Sequence, residues 1–257
     1  METLNIAGYK FVEIPNTAEL RPILKQKGDE LDLLGTILLA HEGINLFLAG
    51  QRTSIDAFMH FLRNDERFEG RFSDLTVKES NSDHPPFRKL LVRLKKEIIT
   101  MKHPTIRPVA SERAPAVEPK DLKRWLDQGH DDDGREVVML DTRNGYEVEI
   151  GTFKGALEFS IEYFSEFPEA FRRAANDSNI DLTEKAVVTF CTGGIRCEKA
   201  ALYLRYANLK NVYQLDGGIL RYFEEVGSDH WQGECFVFDE RRAVDEHLKP
   251  TKKDYSV

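Results

Sequence analysis

Seven consecutive residues, Cys191-Thr192-Gly193-Gly194-Ile195-Arg196-Cys197, gather two thiols, a guanidinium and a pair of glycines into one short stretch. The apolar run Ala186-Val187-Val188-Thr189-Phe190 precedes it, and a helical pattern from Glu198 to Tyr206 follows. A buried strand, a tight loop that opens on Cys and a helix N-terminus are therefore expected in that order. Such a loop turns its backbone N–H groups inward, and the helix adds its positive dipole end. A thiol held there ionises near or below neutral pH instead of at about 8.5. Gly193 and Gly194 let the backbone curl without a Cβ penalty, and Arg196 adds a fixed charge and a forked donor. The bland alternative is a buried Cys before an ordinary glycine turn. The coincidence of strand, Cys, double Gly, Arg and helix favours the reactive thiol.

Spacing separates the chemistries open to such a thiol. Four residues lie between Cys191 and Arg196. Cysteine phosphatases have one more, which opens a pocket wide enough for phosphate. The tighter loop favours a thiolate carrying one extra sulfur, so persulfide chemistry is the first expectation from loop size alone. Cys197 has two readings: a resolving thiol that closes a disulfide with Cys191, or a small buried residue packing the helix on the sheet. Cys235 stands in an apolar segment and is expected to be structural. The three Cys and seven His show no metal-ligand spacing, so no metal and no other cofactor is expected. His41, His103 and His230 are isolated in sequence, as solvated or core histidines are.

The 257 residues bound the rest, implying one large or two modest domains. A hydrophobic content of 41% fills a core, and no run reaches the roughly 20 apolar residues of a membrane helix. The N-terminus lacks a basic segment followed by an apolar one, so no signal peptide is expected. Three Cys do not suggest a disulfide framework, and a reducing, cytoplasmic setting follows. The net charge of −8 argues against nonspecific nucleic-acid binding, but the charge is uneven. Residues 1–109 carry 16 basic and 15 acidic side chains, residues 110–257 carry 20 and 29, so the acidic excess lies in the second half.

The elements that must position the thiol begin well upstream. Tyr9 to Ile14 alternates as a strand. Asn16 or Thr17 caps a helix to about Leu31. Gly35 to Ala40 and Ile44 to Ala49 are strands joined by a His41-Glu42-Gly43 turn. A helix from Ser54 to Asp65 places Ile55, Phe58, Met59 and Leu62 on one face. Leu75 to Glu79 and Leu90 to Lys95 are further strands, the last ending near Met101. This order predicts a ferredoxin-like or acylphosphatase-like α+β sandwich over residues 1–103, with an extra strand. Residues 104–119 hold four prolines, a density that excludes a regular helix or a central strand, and form a linker.

Residues 120–229 alternate strands and helices, which predicts a parallel sheet covered on both faces. A short helix runs from Asp121 to Gln128, and Asp131-Asp132-Asp133-Gly134 is a polar turn. Val137 to Leu140 is a buried strand ending at Asp141-Thr142-Arg143. Phe167 to Ala175 is helical, and Val212 to Leu215 is the last parallel strand, followed by Asp216-Gly217-Gly218 and a helix from Ile219 to Val226. Ligands of parallel sheets bind beyond the carboxyl ends of the strands, where Cys191, Asp141, Arg143 and the Asp216-Gly217-Gly218 turn all fall. The tail, 230–257, has one apolar segment, Cys235 to Phe238, and is expected to end polar and mobile.

A basic stretch precedes the linker. Within 88–107, Arg88, Lys89, Arg93, Lys95, Lys96, Lys102 and Arg107 face a single acid, Glu97. Arg93 and Lys95 share one face of a strand. Phosphate binding and a solvated edge strand blunted by lysines are both open readings.

The string Thr189 to Ala200 resembles the active-site loop of the bacterial tRNA uridine-34 hydroxylases, a subfamily of the rhodanese-like domains. Most rhodanese domains lack the second Cys and the following Glu198-Lys199. His84 to Met101 resembles the same subfamily's signature between its domains, as does Glu42-Gly43-Ile44-Asn45. Asp141-Thr142-Arg143, Glu147 and Gly151 to Ala156 match the rhodanese stretch that buttresses the loop. The resemblance covers about 5–245. Some members carry a Cys-rich C-terminal extension, whose function is expected to be absent here or supplied otherwise. The resemblance implies a rhodanese-like catalytic domain behind an RNA-binding domain, and 5-hydroxylation of the wobble uridine with molecular oxygen as co-substrate. Cys191, Arg196 and Cys197 would be catalytic, with Thr192, Gly193, Gly194, Ile195, Asp141 and Arg143 forming and supporting the loop. Asp141 is expected to satisfy loop amides, and Arg143 either makes a salt bridge or meets substrate. Arg88, Lys89, Arg93, Lys95 and Lys96 would bind the RNA, a tRNA anticodon loop, and the resemblance outweighs the blunted-edge reading. Phe87, Tyr146, Tyr222 and Trp231 are candidates to stack a splayed base. Addition of the Cys191 thiolate to C6 of uracil would make C5 nucleophilic toward oxygen. Two other readings stand beside this one: a sulfurtransferase working through a Cys191 persulfide, and an inactive rhodanese module that binds a partner. The sequence fixes no oligomeric state.

Overall fold

A computed structural model describes residues 3–176, 180–251, 253 and 255. The chain divides into two units, 1–100 with 239–241, and 101–238 with 242–257. The polar end of the tail falls at 252, 254, 256 and 257 outside the described residues.

The first unit is built from β1 (Thr3–Phe11), α1 (Thr17–Glu30), β2 (Leu34–Ala40), β3 (Gly43–Gly50), α2 (Arg52–Asn64), β4 (Lys78–Ser82) and β5 (Leu90–Leu94). They form one sheet in the order β4-β1-β3-β2-β5. Every pairing is antiparallel except β2 with β5. The predicted sandwich with its extra strand is present, and β5 is that strand, at the sheet edge. Ile55, Phe58, Met59 and Leu62 of α2 are buried against the sheet, as their helical spacing required.

Two strands differ from their predicted bounds. β1 starts at Thr3, not Tyr9, because it is paired on both sides, from Leu4↔Gly50 on β3 and Thr3↔Ser82 on β4. Beyond Phe11 only isolated bonds continue, Val12 N–H to Glu42 C=O and Ile14 N–H to His41 C=O. β4 lies three residues later than its apolar pattern suggested. Leu75 belongs to a turn whose carbonyl accepts from Arg63 at 2.8 Å, while polar Lys78–Ser82 is held in the sheet by its ladder with β1. Backbone pairing outweighs propensity there.

The second unit runs through β6 (Ala116–Val117), α3 (Pro119–Gln128), β7 (Val137–Asp141), α4 (Gly145–Ile150), β8 (Gly151–Phe153) and α5 (Phe167–Ala175). It continues with β9 (Ala186–Phe190), α6 (Ile195–Tyr206), β10 (Val212–Leu215) and α7 (Gly218–Val226), then β11 (Trp231–Gly233), β12 (Cys235–Phe236) and β13 (Ala243–Val244). The main sheet, β6-β10-β9-β7, is parallel throughout. All five residues of β9 are buried, as a parallel strand covered on both faces requires. The proline-rich stretch is more ordered than its composition implied. It supplies β6, an edge strand where neighbouring prolines are tolerated, and Pro119 starts α3, where a missing N–H costs nothing. The stretch after 229 is also more than one apolar segment. β11 pairs with β8, β12 pairs with β13, and Trp231, Cys235, Val237 and Val244 join the core around Val188, Phe190 and Leu215. Among the described residues no helix is long and apolar enough to cross a membrane.

Candidate active site

The thiol loop is closed by backbone. Cys191 follows β9, and the helix begins at Ile195, so Arg196 and Cys197 lie on its first turn. Of the two glycines only Gly194 adopts the left-handed conformation, at φ 97°, and its N–H donates to Cys191 Sγ at 3.2 Å. A Cβ on Gly193 would meet nothing within 4 Å, so the crest of the loop is open there. The opposite side is tightly covered. Ile219 N–H donates to Cys191 C=O at 3.0 Å and Leu220 N–H to Thr192 C=O at 3.1 Å. A Cβ on Gly218, itself at φ 69°, would lie 2.5 Å from Cys191 O. The Asp216-Gly217-Gly218 turn is thus brought against the loop. Thr192 donates its hydroxyl to Phe236 C=O at 3.3 Å, and Ile195 is buried.

The side chains below the loop form a buried polar layer. Asp141 accepts from the Arg143 backbone N–H at 3.0 Å, from Arg143 Nε and Nη2 at 2.9 and 2.6 Å, and from Thr152 Oγ1 at 2.8 Å. Arg143 also donates to Gly151 C=O at 2.5 Å and Glu147 C=O at 3.4 Å. Both side chains of this pair are fully buried, so of the two readings of Arg143 the geometry selects the salt bridge. Asp141 ties down the end of β7 and satisfies one amide there. Thr142 donates to Phe190 C=O at 2.9 Å and lies 4.0 Å from Cys197 Sγ.

The fixed charge and forked donor of Arg196 are engaged by a carboxylate. Its two terminal nitrogens grip the Glu147 carboxylate at 2.5 and 2.8 Å, and its side chain is 5% exposed. The guanidinium packs over the Phe238 ring, 5.4 Å from its centroid. What it offers the thiol is charge. Burial alone would push the Cys191 thiol up. A hydrogen bond from Cys197, the Arg196 charge, and the backbone N–H groups of Cys197 and Arg196 outweigh burial and bring it down to about 5. Cys197 is driven well above the ordinary thiol range, first by burial and then by its bond and proximity to the Cys191 sulfur. The pair therefore holds one negative charge, on Cys191, and one proton, on Cys197. Cys235 is wholly buried, donates to Phe236 C=O at 3.6 Å, and burial pushes its thiol up to about 12.

Of the proposed stacking residues, Tyr222 and Trp231 are corrected: both are buried in the core and offer no ring face. Phe87 and Tyr146 are half-buried. An aromatic row that the sequence did not announce begins at Tyr146. Its ring meets Phe236 at 5.3 Å, Phe236 meets Phe238 at 5.0 Å, and Phe238 is 45% exposed. Glu147 was also missed as a partner of Arg196. It stands three residues after Asn144, whose backbone N–H it accepts at 3.2 Å, so its pattern announces only a helix start. Among the described residues, no cluster of His, Cys, Asp and Glu could hold a metal ion.

The five basic residues belong to the first unit and are all exposed. Arg93 lies on β5; Lys95 lies just past its end, with its N–H on Leu39 C=O at 2.7 Å, and Lys96 follows. Arg88 pairs with Glu240 at 2.9 Å. Glu42 accepts from Ile98 N–H at 2.8 Å and Asn45 donates to Ile98 C=O at 3.3 Å. The hairpin thereby anchors the far end of the basic segment.

Residues 3–98 match the UPF0176 acylphosphatase-like domain and residues 118–225 the rhodanese-like domain. A protein of Ralstonia nicotianae named tRNA uridine(34) hydroxylase is 59% identical over 250 residues, 97% of this chain and 86% of its own length. One of Burkholderia ambifaria with the same name is 56% identical over 253 residues, 98% of this chain and 87% of its own. With both domains matched and identity sustained across nearly the whole length, the chain belongs to the tRNA uridine(34) hydroxylase family.

Proposed function

We propose that this protein hydroxylates uridine-34 of tRNA at C5, with the Cys191 thiolate as nucleophile and dioxygen as co-substrate. The single observation that carries the reading is a buried thiolate held within a short loop by a loop amide, in a chain of this family. Uracil is an enone, and its C6 is open to attack by sulfur. Addition of Cys191 there places carbanion character on C5, which then meets dioxygen. Arg196 and the Gly194 N–H stabilise the thiolate before attack, and Cys197 holds a proton beside it. A base extruded from the anticodon loop approaches over Gly193 and stacks on the Tyr146-Phe236-Phe238 row. Arg88, Lys89, Arg93, Lys95 and Lys96 contact RNA phosphates. The reaction belongs in the cytoplasm, where thiols stay reduced.

Nucleoside mass spectrometry of tRNA from cells with the protein, without it, and with Cys191→Ala tests the activity. 5-Hydroxyuridine should appear only with the wild type. The covalent step is tested with tRNA carrying 5-fluorouridine at position 34, which cannot lose the C5 substituent as a proton. An adduct forms with wild type and not with Cys191→Ala; absence of any adduct sinks the C6 attack. The four-residue Cys191-to-Arg196 spacing favours one other reading, a Cys191 persulfide sulfurtransferase. It requires thiocyanate release from thiosulfate and cyanide, and tRNA nucleosides unchanged by loss of the protein.

A further inference from the structure

Attack by Cys191 leaves the second thiol of the loop without a task. Cys197 sits on the first turn of α6, wholly buried, hydrogen-bonded to the Cys191 sulfur and 4.0 Å from Thr142 Oγ1. The third thiol, Cys235, is engaged with its neighbour's carbonyl. The loop therefore presents one adjacent pair of thiols, the ionised partner carrying the attack and the neutral partner behind it.

Hydroxylation by dioxygen has an electron requirement that one thiolate does not meet. Converting C5–H to C5–OH takes two electrons from the base, whereas dioxygen accepts four on its way to a hydroxyl and a water. Two more are needed in each turnover, and the oxidation of two thiols to a disulfide releases that number. We infer that Cys191 and Cys197 are the reducing pair of the reaction, passing to a disulfide once per hydroxylation. The inference rests on the hydroxylase reading above.

The atoms balance as follows. With the Cys191 sulfur bonded to C6, C5 takes up dioxygen and a proton as a hydroperoxide. The Cys197 sulfur attacks the terminal oxygen, the O–O bond breaks, C5 keeps a hydroxyl, and Cys197 becomes a sulfenic acid. Loss of the C5 proton expels Cys191 from C6 and restores the C5–C6 double bond. Cys191 then attacks the Cys197 sulfur, releasing water and closing the disulfide. The sum is one C–H, one dioxygen and two thiols giving one C–OH, one water and one disulfide. A small dithiol or a protein dithiol reduces the disulfide by exchange.

The environment suits this hand-over. While Cys191 is free, burial and the neighbouring sulfur keep Cys197 protonated. Once Cys191 is a thioether, its charge no longer opposes ionisation of Cys197; burial still does, and the Arg196 charge still favours it. Cys197 is then the free sulfur of the pair, and it is easier to ionise than while Cys191 carries its charge.

The test is a turnover without external reductant. Reduced enzyme, freed of small thiols, is mixed in air with a limiting amount of unmodified tRNA. Mass spectrometry measures 5-hydroxyuridine in the RNA and the Cys191–Cys197 disulfide in the protein. Both should appear in equal amounts, and the disulfide should require tRNA. Cys197→Ser should lose product by about tenfold or more while still forming the 5-fluorouridine adduct, which reports an intact loop. Product without disulfide, or undiminished product from Cys197→Ser, overturns the inference and leaves the hydroxylase reading standing. A wild type that makes no 5-hydroxyuridine even with dithiothreitol and air removes both.

Discussion

Arg196 and Glu147 form a two-pronged ion pair in which neither side chain is more than 5% exposed, and it joins the first turn of α6 to α4. Removing one partner leaves the other charged in a dry site, at a cost of about 3–5 kcal/mol. Glu147→Ala is therefore expected to lower the urea midpoint sharply. Adding Arg196→Met in the same chain should recover much of the loss, because no unpaired charge remains. A Glu147→Ala protein as stable as wild type would mean that the pair does not hold the loop.

Cys191 titrates low. Burial opposes its ionisation, but Cys197, Arg196 and the loop amides prevail and bring it to about 5. The thiolate fraction rises with pH through that value, so a thiolate-dependent rate is full at neutral pH and falls about tenfold for each unit below the midpoint. Cys197→Ala removes the S–H donor and should move the midpoint upward. Ultraviolet absorbance of the thiolate measures it, with Cys235 silent because burial pushes its thiol up to about 12. A wild-type midpoint near about 8.5 would contradict this.

Gly218 and Gly193 should respond in opposite ways to alanine. At Gly218 the new Cβ meets the carbonyls of Cys191 and Thr192 at 2.5 and 2.7 Å, and φ is 69°. Gly218→Ala is expected to abolish activity and lower the melting temperature. At Gly193 the Cβ meets nothing within 4 Å, so Gly193→Ala folds normally, and any loss of activity appears as a raised KM for tRNA.

Phe238 is the exposed end of an aromatic row, backed by Arg196 and Phe236. A base stacked on such a ring is worth about 1–3 kcal/mol. Phe238→Ala should weaken tRNA binding by about tenfold in steady-state assays without changing the melting temperature by more than a few degrees. Phe238→Tyr should bind as wild type.

The basic side chains around β5 are tested by salt. If Arg93, Lys95 and Lys96 neutralise phosphates, changing them to Ala lowers affinity for all tRNAs and flattens the dependence of log K on log salt. An unchanged slope would return these residues to the role of a solvated sheet edge.

The thiol loop was legible because its information is local. Cys191, the glycines and the helix that follows occupy consecutive positions, and strand, turn and cap each carry their own pattern. Glu147 was not legible as a partner, because Arg196 is 49 residues away and the spacing after Asn144 already accounts for the carboxylate as a cap. The same distance problem hid Phe238. Nothing in Cys235 to Phe238 shows that its end packs on a guanidinium from α6. The first unit was legible in order and face, since Ile55, Phe58, Met59 and Leu62 recur at helical spacing. Its strand ends were not, because β1 and β4 are bounded by their ladders and not by their composition. Tyr222 and Trp231 show the limit of residue type: a ring suited to stacking on RNA is equally suited to a core, and here the core holds both.

The chain leaves the first unit at residue 100 and supplies it again at 239–241, where Arg241 donates to Ser80 Oγ at 2.7 Å and Glu240 pairs with Arg88. Neither half is thus a continuous piece of polypeptide. A ribosome finishes the second unit's sheet before it delivers the last three residues of the first, so the first cannot be complete until almost the entire chain has been synthesised. Cutting the gene at the proline-rich stretch would leave one fragment short of three residues and the other burdened with them.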